Sequence, residues 1–460
     1  MILKKNDNIT LKVDEINMMG NGVAKYNDAA VFVQNAVPGD VADCRIIKCA
    51  RNYYVARIDR LLEPSPQRME AACPHFHRCG GCNFQHVSYE LEKKVKRDYV
   101  CSCLAKEGLS DVTVYDVITT GKTARYRNKA QFPLATDDKG GIIFGFYSPK
   151  THKVCAINDC LIQDARFVPI AKSVINFLHD NKISVYNEET KNGLVRHIYL
   201  RSAQKTGQIM LCLVLRSDAF PNESDFCEYM HSIHPEISSI NFNINSMDTN
   251  VILGRKFRTV YGADRIRDEL CERSFDISSA SFYQVNRDGA ELLYNTAFSM
   301  VTKEYDLLID LYCGIGTISL SSHTEKPIIG VEIVPEAVQD ATHNAKLNHI
   351  ASAEFFCGDA AEAFRLIRNH GAKNPLVIVD PPRKGLSEDL INDLAKNRIN
   401  NILYISCGAD TLARDLRLFR ELSYTIGPIQ PVDMFSRTGH VESVVCLKRR
   451  LDNELHERVN

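Results

Sequence analysis

Two side chains near the carboxyl end of the chain have the chemistry of a nucleophile and a general base. Cys407 lies in "YISCGADTLARDL", directly after a β-rich run and before a helix-like one. A thiol at a strand end beside a helix N-terminus has its thiolate favoured by the helix dipole. Glu442, in "HVESVV", lies at the edge of another apolar strand. Because a lone cysteine is more often a small buried hydrophobe, the surrounding motifs decide its role.

A glycine-containing loop indicates a nucleotide-like ligand. In "DLYCGIGTISL", Gly314 and Gly316 permit a tight turn between a buried-type strand and a helix. The third glycine of a dinucleotide fingerprint is missing, which disfavours a pyrophosphate. Glu332 ends the next strand 18 residues after Gly314, where it can bind ribose hydroxyls, and Asp359 ends the third strand, within reach of an adenine amino group. This succession favours S-adenosylmethionine over acids that follow strands by chance.

A fourth strand end carries a carboxylate in a rigid turn. "VIVDPPRKGL" places Asp380 before two prolines that fix the backbone. A carboxylate held in this way suits a planar ring edge with N–H groups. Asp-Pro-Pro also occurs in methyltransferases that act on exocyclic amines, usually with an aromatic residue next. Here Arg383 follows, so amine chemistry is the minor interpretation.

A cysteine, a carboxylate and a methyl donor together suit methylation of a pyrimidine ring carbon. Carbon 5 of uracil is too weak a nucleophile to take a methyl group. Addition of a thiolate at carbon 6 makes carbon 5 enolate-like, and a base then removes its proton before the thiolate leaves. Cys407 and Glu442 have the types of residue that these steps require.

A separate cysteine cluster indicates a metal site. "CPHFHRCGGC" contains Cys73, Cys79 and Cys82, and "NDC" adds Cys160. Four thiolates suit a [4Fe–4S] cluster or a tetrahedral zinc ion. Three histidines nearby (His75, His77 and His86) leave zinc open on spacing alone.

The elements that must position these residues fall into three segments. Residues 1–62 predict short alternating strands of an OB-type barrel. Residues 63–280 stay strand-rich, with two hairpin-like stretches, and predict an α+β domain. Residues 281–460 alternate strands with helices, which predicts an α/β Rossmann-like domain whose parallel sheet is covered on both faces.

Composition bounds the remaining possibilities. The chain has 460 residues, 45% hydrophobic residues and a net charge of −1, so it has no overall electrostatic footprint for nucleic acid. Between Lys93 and Lys129, nine basic residues face four acidic ones, an excess of five positive charges. This run is either an RNA-facing patch or a solvated helix face. No signal peptide and no apolar run of about 18–20 residues is visible, so we expect a cytoplasmic protein without a membrane span.

Together these motifs resemble the RNA uracil-5-methyltransferases, particularly the branch that acts on 23S ribosomal RNA. The resemblance is carried by "SFYQVN", "DLYCGIGT", "VDPPRKG", "SC" with "TLARD", and "HVE", in the order of the family. The fourfold-cysteine motif and an N-terminal TRAM barrel extend it over essentially the whole chain.

The resemblance implies roles for particular residues. Cys407 is then the nucleophile and Glu442 the base, and Cys73, Cys79, Cys82 and Cys160 hold a [4Fe–4S] cluster. The cofactor and uracil pocket is lined by Gln284, Tyr312, Glu332 and Asp380, with Gly314, Thr317 and Asp359 close by. The target uridine leaves its stack to reach Cys407, and Phe282 or Tyr283 stacks on it. Residues of about 93–122 pack back onto the catalytic domain. The partner is 23S ribosomal RNA, and a monomer is expected.

Two departures from the family pattern concern turns. Gly408–Ala409 follow the nucleophile where the family has a residue and then proline, and Ser436 stands where a proline is common. Two rival functions remain. A transfer-RNA uridine methyltransferase is disfavoured by the barrel and the cysteines, which the best-known tRNA branch lacks. A non-catalytic iron–sulfur RNA-binding protein is disfavoured by intact Cys407, Glu442 and cofactor loop.

Overall fold

The amino-terminal strands form a closed, twisted sheet. The computed structural model describes residues 3–302 and 304–450. The strands are β1 (Asn8–Lys12), β2 (Glu15–Ile16), β3 (Gly22–Tyr26), β4 (Ala29–Gln34), β5 (Val41–Cys49) and β6 (Tyr53–Glu63), in the order β1-β5-β6-β4-β3-β2. Alternate residues point inward, such as Val31 and Val33 of β4, and build a small separate core. The predicted N-terminal barrel is confirmed.

One helix and one short strand connect the barrel side of the chain to the carboxyl-terminal sheet. Helix α1 (Tyr89–Lys106) begins at Ser88, whose hydroxyl accepts the Leu91 N–H at 3.2 Å. Its residues Val100 and Leu104 lie in the same hydrophobic core as the carboxyl-terminal sheet. Strand β7 (Ile118–Thr119) joins that sheet at its edge. Residues 89–119 therefore pack with the sheet that ends the chain.

The central segment contains a seven-stranded sheet covered by two helices. Its elements are β8 (Lys129–Thr136), β9 (Ile142–Tyr147), β10 (Val154–Ala156), α2 (Phe167–Asp180), β11 (Val195–Ser202), β12 (Ile209–Leu215), α3 (Glu223–Ile233), β13 (Ile237–Ile244) and β14 (Lys256–Gly262). The strand order is β10-β9-β8-β11-β12-β13-β14. A hairpin of β15 (Arg265–Leu270) and β16 (Arg273–Ser278) follows, and its Ile266 and Phe275 pack in a core shared with the last domain.

The carboxyl-terminal segment is a mostly parallel sheet with helices on both faces. Its elements are α4 (Arg287–Ser299), β17 (Leu307–Leu311), α5 (Thr317–Leu320), β18 (Ile328–Glu332), α6 (Pro335–Leu347), β19 (Ala353–Cys357), α7 (Ala360–His370), β20 (Pro375–Val379), α8 (Glu388–Lys396), β21 (Asn401–Ser406), α9 (Ala409–Glu421), β22 (Tyr424–Ile426), β23 (Gln430–Asp433) and β24 (Glu442–Arg449). The order is β19-β18-β17-β20-β21-β24-β23-β7, with β22 paired to β24.

Burial on both faces explains the continuous apolar runs of these strands. In β20, Val377 and Val379 enter one hydrophobic core while Leu376 and Ile378 enter the other. The first five strands of the order run parallel, and β24 is antiparallel to β21. The predicted Rossmann-like domain is confirmed.

The core residues divide the chain less sharply than the predicted boundaries at 62 and 280. Residues 100–114 and 266–277 belong to the two cores of the last sheet although they precede residue 281. The three-domain division therefore stays a prediction about folding units. Within the described residues, no helix has both the length and the apolar character needed to cross a membrane.

Candidate active site

The strand order creates a crevice at the carboxyl ends of the parallel strands. The chain moves outward from β17 to β18 and β19 on one side, and from β20 to β21 on the other. In open α/β sheets, ligands bind where the order reverses in this way. Tyr312, Glu332, Asp380 and Cys407 each follow or end one of these strands. Four predicted site residues are therefore brought to one edge of the sheet.

The loop after β17 has the backbone of a ligand-binding turn. Tyr312, Gly314 and Gly316 have φ values of +68°, +54° and +82°, a region that glycine adopts without strain. No atom lies within 4 Å of a Cβ built on Gly314, so the loop is open on that side. The Gly314 N–H donates to Glu332 Oε2 at 3.2 Å, and the Val334 N–H donates to Oε1 at 3.0 Å. These bonds fix the Glu332 carboxylate beside the loop.

The remaining predicted cofactor residues surround this loop. Thr317 is the first residue of α5, and its hydroxyl lies 3.5 Å from the Tyr294 hydroxyl. Asp359 precedes α7, and its Oδ1 accepts the Glu362 N–H at 3.3 Å. The buried Gln284 is held through its carbonyl, which accepts a hydrogen bond from Asn128 Nδ2 at 3.0 Å.

Cys407 and Glu442 lie on neighbouring antiparallel strands. Cys407 directly follows β21, whose last residue Ser406 pairs with Ser443, and Glu442 is the first residue of β24. Glu442 is only 5% exposed. Burial first and the charge of Asp380 second raise the pKa of Glu442 to about 8. Burial, then the charges of Glu442 and Asp380, raise the pKa of Cys407 to about 11.

Two further carboxyl groups lie in the low-dielectric floor of the crevice. Burial raises the pKa of Asp380 to about 7. Burial also raises the pKa of Asp310, on β17, to about 7, and its Oδ2 accepts the Ser319 N–H at 3.2 Å. Because several acids share this volume, binding of a positively charged sulfonium would relieve their mutual repulsion.

Arg383 is the cation that opposes this negative charge. Its positive charge lowers the pKa of both Cys407 and Glu442 against the larger effect of burial. Its guanidinium lies 3.3 Å from the ring nitrogens of His440. Burial and Arg383 lower the pKa of His440 to about 4, so this ring is neutral. Neither residue is assigned a role from the sequence alone, although Arg383 directly follows Asp-Pro-Pro and His440 lies two positions before Glu442.

The turn after Cys407 is held without a proline. The Gly408 N–H donates to Ser406 Oγ at 3.2 Å, and the Thr411 hydroxyl donates to the carbonyls of Gly408 and Arg383 at 3.1 Å. Ala409 is the first residue of α9, the position at which proline is favoured because no N–H is needed there. Ser436 is held as well, since its hydroxyl donates to Asp433 Oδ2 at 3.0 Å.

The aromatic pair before Gln284 separates into one exposed and one buried ring. Phe282 is 64% exposed, whereas Tyr283 is 2% exposed and belongs to the core. Phe282 is therefore the ring that remains accessible to a base.

A groove of about 1120 Å³ reaches Cys407 from outside. Its walls come from residues 14–19 of the barrel, from α1, and from the loops that carry Arg383, Cys407 and His440. A second, smaller cleft of about 400 Å³ is rich in cations, namely Lys122, Arg125, Arg166, Lys205 and Arg287.

The basic run from Lys93 to Lys129 is largely neutralised within the protein. Six of its cations pair with acids: Lys93–Glu90, Lys94–Asp98, Lys96–Glu92, Arg97–Asp116, Lys122–Asp288 and Arg125–Asp159. Lys96 is fully buried and also reaches Asp433 at 2.8 Å. The run is therefore mainly an internal pairing network, not a uniform RNA-facing patch.

The four predicted cluster cysteines line one cavity of about 110 Å³. The Gly81 N–H and the Gln85 side-chain amide donate to Cys79 Sγ and Cys82 Sγ at 3.4 and 3.7 Å. Of the three nearby histidines, only His75 lines this cavity. In the part of the chain that the structure describes, no group of three or more His, Cys, Asp or Glu side chains is arranged to hold a metal ion.

The glycine loop at the strand-order reversal, with acids at successive strand ends, defines a class I methyltransferase domain. The family model for tRNA (uracil-5-)-methyltransferases matches residues 88–450, and that for the TRAM domain matches residues 4–58. This chain belongs to the tRNA (uracil-5-)-methyltransferase family, and the family resemblance expected from the motifs is confirmed.

Curated relatives and one solved structure match nearly the whole chain. Uncharacterized RNA methyltransferases of Halalkalibacterium halodurans and Clostridium tetani are 38% and 37% identical to it. Each alignment covers 97% of this chain, with 98% and 97% of the relatives. The tRNA (uracil-54, C5)-methyltransferase of Pyrococcus abyssi, solved with S-adenosyl-L-homocysteine, is 26% identical, with a TM-score of 0.76 over 95% of this chain and 99% of that one.

Proposed function

We propose that this protein methylates carbon 5 of uridine in 23S ribosomal RNA, using S-adenosylmethionine and a covalent cysteine adduct. The observation that carries the proposal is the meeting of Cys407, Glu442 and Asp380 at the strand ends beside the Gly314 loop. In this arrangement one crevice can hold the target uridine and the methyl donor beside both the nucleophile and the base.

Cys407 opens the reaction. Its thiolate forms a bond to carbon 6 of the uracil, and the electron pair moves to make carbon 5 an enolate carbon. S-adenosylmethionine supplies the methyl group, leaving S-adenosylhomocysteine. Because the pKa of Cys407 is about 11, few thiols are ionised at pH 7, and Arg383 is the protein charge that favours the thiolate.

Glu442 completes the reaction. Its carboxylate removes the proton from carbon 5, and the electron pair of that bond restores the ring double bond while the carbon–sulfur bond breaks. The thiolate leaves and the product is 5-methyluridine. The pKa of Glu442, about 8, lies near neutral pH. A base with such a pKa accepts a proton from the substrate and then releases it readily to solvent.

Cofactor contacts are proposed for the residues around the loop. Glu332 suits the ribose hydroxyls because its oxygens are already fixed by the Gly314 and Val334 amides. Asp359 suits the adenine amino group. Gln284, Tyr312 and Thr317 complete the pocket, and Asp380 suits the uracil N–H edge.

The adduct itself provides the decisive test. In RNA substituted with 5-fluorouracil, fluorine replaces the carbon-5 proton and cannot be removed by the base. Wild-type protein with S-adenosylmethionine should therefore remain covalently bound to this RNA on a denaturing gel. Cys407→Ala should lose the adduct, and Cys357→Ala, a change of another cysteine in the same domain, should keep it. An adduct that survives Cys407→Ala would overturn the nucleophile assignment.

A second candidate substrate is transfer RNA. The Pyrococcus abyssi tRNA enzyme resembles this chain over nearly its full length, so the barrel alone does not separate the two substrates. Ribosomal RNA is favoured by the resemblance of the four-cysteine motif to the 23S branch. Mapping 5-methyluridine in both RNAs, with and without the gene, decides between them: loss from 23S supports the proposal and loss from tRNA only replaces it.

We also propose that Cys73, Cys79, Cys82 and Cys160 hold a [4Fe–4S] cluster. The support is chemical: four thiols line one cavity, and N–H groups point at two of the sulfurs. The barrel and this region would then bind RNA while residues 281–450 carry the chemistry. Protein purified without oxygen should contain about four iron atoms and absorb visible light. One zinc ion and no visible absorbance would contradict it.

The working form is proposed to be a cytoplasmic monomer. Light scattering of the purified chain at micromolar concentration should give a mass near 51.9 kDa. A mass of twice that value would replace the monomer by a dimer.

A further inference from the structure

We propose that Asn83 is a positioning residue that locks the loop leading to the catalytic base. This loop, called the base loop below, comprises residues 434–441, connects β23 to β24 and is followed directly by Glu442. This inference rests on the proposed function, because it assigns a device for one step of that reaction.

Asn83 has three hydrogen-bond partners in two other parts of the chain. Its side-chain Oδ1 accepts the Gly439 N–H at 2.9 Å, and its backbone N–H donates to the Arg437 carbonyl at 2.8 Å. Its Nδ2 donates to the Met19 carbonyl, in the barrel, at 3.2 Å. One side chain therefore joins the barrel, the segment after Cys82 and the base loop.

Glycines mark the closeness of this junction. A Cβ on Gly20 would lie 2.0 Å from the Asn83 carbonyl oxygen, and a Cβ on Gly439 would lie 2.0 Å from the Met18 carbonyl oxygen. Backbone at this distance leaves no room for another side chain. The position of Gly439 is thus set from two sides.

The rest of the loop is also held by hydrogen bonds from other parts of the chain. Three successive backbone carbonyls of the loop accept hydrogen bonds from side chains. The Met434 carbonyl accepts from Asn286 at 2.8 Å, the Phe435 carbonyl from Lys96 at 3.3 Å, and the Ser436 carbonyl from Tyr126 at 2.7 Å. The Arg437 N–H donates to Glu92 at 2.7 Å. Asn83 bonds the loop at two positions, Arg437 and Gly439.

The consequence concerns the release step. Glu442 must meet the carbon-5 proton only after methyl transfer, and a displacement of about 1 Å at a reacting group lowers a rate by up to about 10²-fold. Loss of the Asn83–Gly439 bond should therefore slow proton removal more than it slows the attack by Cys407, which follows β21 and lies outside residues 434–441.

The test compares Asn83→Ala with Asn83→Asp on unsubstituted RNA. Asn83→Ala loses both side-chain bonds, whereas Asn83→Asp keeps an oxygen acceptor for Gly439 and loses only the donor to Met19. In rapid-quench assays with a labelled methyl group, Asn83→Ala should form methylated adduct at a rate within about 3-fold of wild type and release product at least about 10-fold more slowly. Asn83→Asp should release product within about 3-fold of wild type.

Controls separate this inference from folding and from the proposed function. Asn181→Ala removes another half-exposed asparagine that bonds two elements, through Phe177 and Asn222, and should behave as wild type. S-adenosylmethionine binding and the unfolding midpoint of Asn83→Ala are measured beside it. If wild type forms no adduct and no 5-methyluridine, the proposed function fails first. If wild type is active but adduct formation and release fall equally in Asn83→Ala, or Asn83→Asp is as slow as Asn83→Ala, the positioning role is overturned.

Discussion

Replacing Glu442 by glutamine should make the protein more stable at alkaline pH. Glu442 is almost fully buried beside Asp380, and its pKa is about 8 instead of the ordinary 4.5. Between these two values the folded chain holds a proton that the unfolded chain has released. The free energy of unfolding therefore falls as the pH rises through this window, and the loss is complete above pH 8.

The size of this effect follows from the rise in pKa. A rise from 4.5 to about 8 corresponds to about 5 kcal/mol at about 1.4 kcal/mol for each pKa unit, an upper bound because water penetration relaxes buried charges. With an unfolding entropy of about 2.1 cal/mol/K per residue, this is about 5 °C in Tm if the whole chain unfolds together, and more if the catalytic domain unfolds alone.

The assay is thermal unfolding of wild type and Glu442→Gln at pH 5 and pH 9. The Tm difference between variant and wild type should be small at pH 5, where both side chains are neutral, and should grow by about 5 °C at pH 9. Glu354→Gln, a change of an exposed glutamate in the same sheet, should show no such growth. An equal Tm difference at both pH values would refute the raised pKa of the buried Glu442 carboxyl.

Three further changes test separate parts of the site. Arg383→Met removes the charge that lowers the pKa of Cys407, so the rate of adduct formation at pH 8 should fall about tenfold. The control Lys384→Met should stay near wild type. Equal losses of rate in both variants would indicate weaker RNA binding instead of a change at Cys407. Phe282→Ala should lower methylation without lowering Tm, and Tyr283→Ala should destabilise by about 3–5 kcal/mol; thermal melts showing the reverse would contradict the assignment of the two rings. Ala409→Pro should keep Tm within about 2 °C, since a first helical position accepts proline; a larger fall would show that the space around Ala409 is too tight.

Much of the candidate site could be predicted from local patterns. The glycines, the strand-ending acids and the prolines of "VDPPRKG" each constrain their own backbone, so a parallel sheet with residues at its carboxyl edge followed directly. The alternation in the first 62 residues likewise predicted the barrel.

Ion pairs between residues far apart in the sequence could not be predicted in the same way. Several cations between Lys93 and Lys129 have a partner far along the chain, as Lys96 does at Asp433 and Lys122 at Asp288. Arg383 and His440 are separated by 57 residues and meet only through the sheet. Side-chain pairing of this kind depends on tertiary distance, which no local pattern encodes.

The sequence by itself therefore determined the family, the fold class and the residue types at Cys407 and Glu442, because reacting groups and turns leave short, local signals. Only the tertiary structure decided how far the surroundings shift the pKa values of these two side chains and what holds the turns beside them. Burial and the nearby Asp380 raise the pKa of Glu442 to about 8. The turn after Cys407 is held by Ser406 and Thr411 in place of a proline, and the base loop is held by Asn83 from more than 350 positions away. Solvent exclusion and long-range hydrogen bonds exist only once the chain has folded.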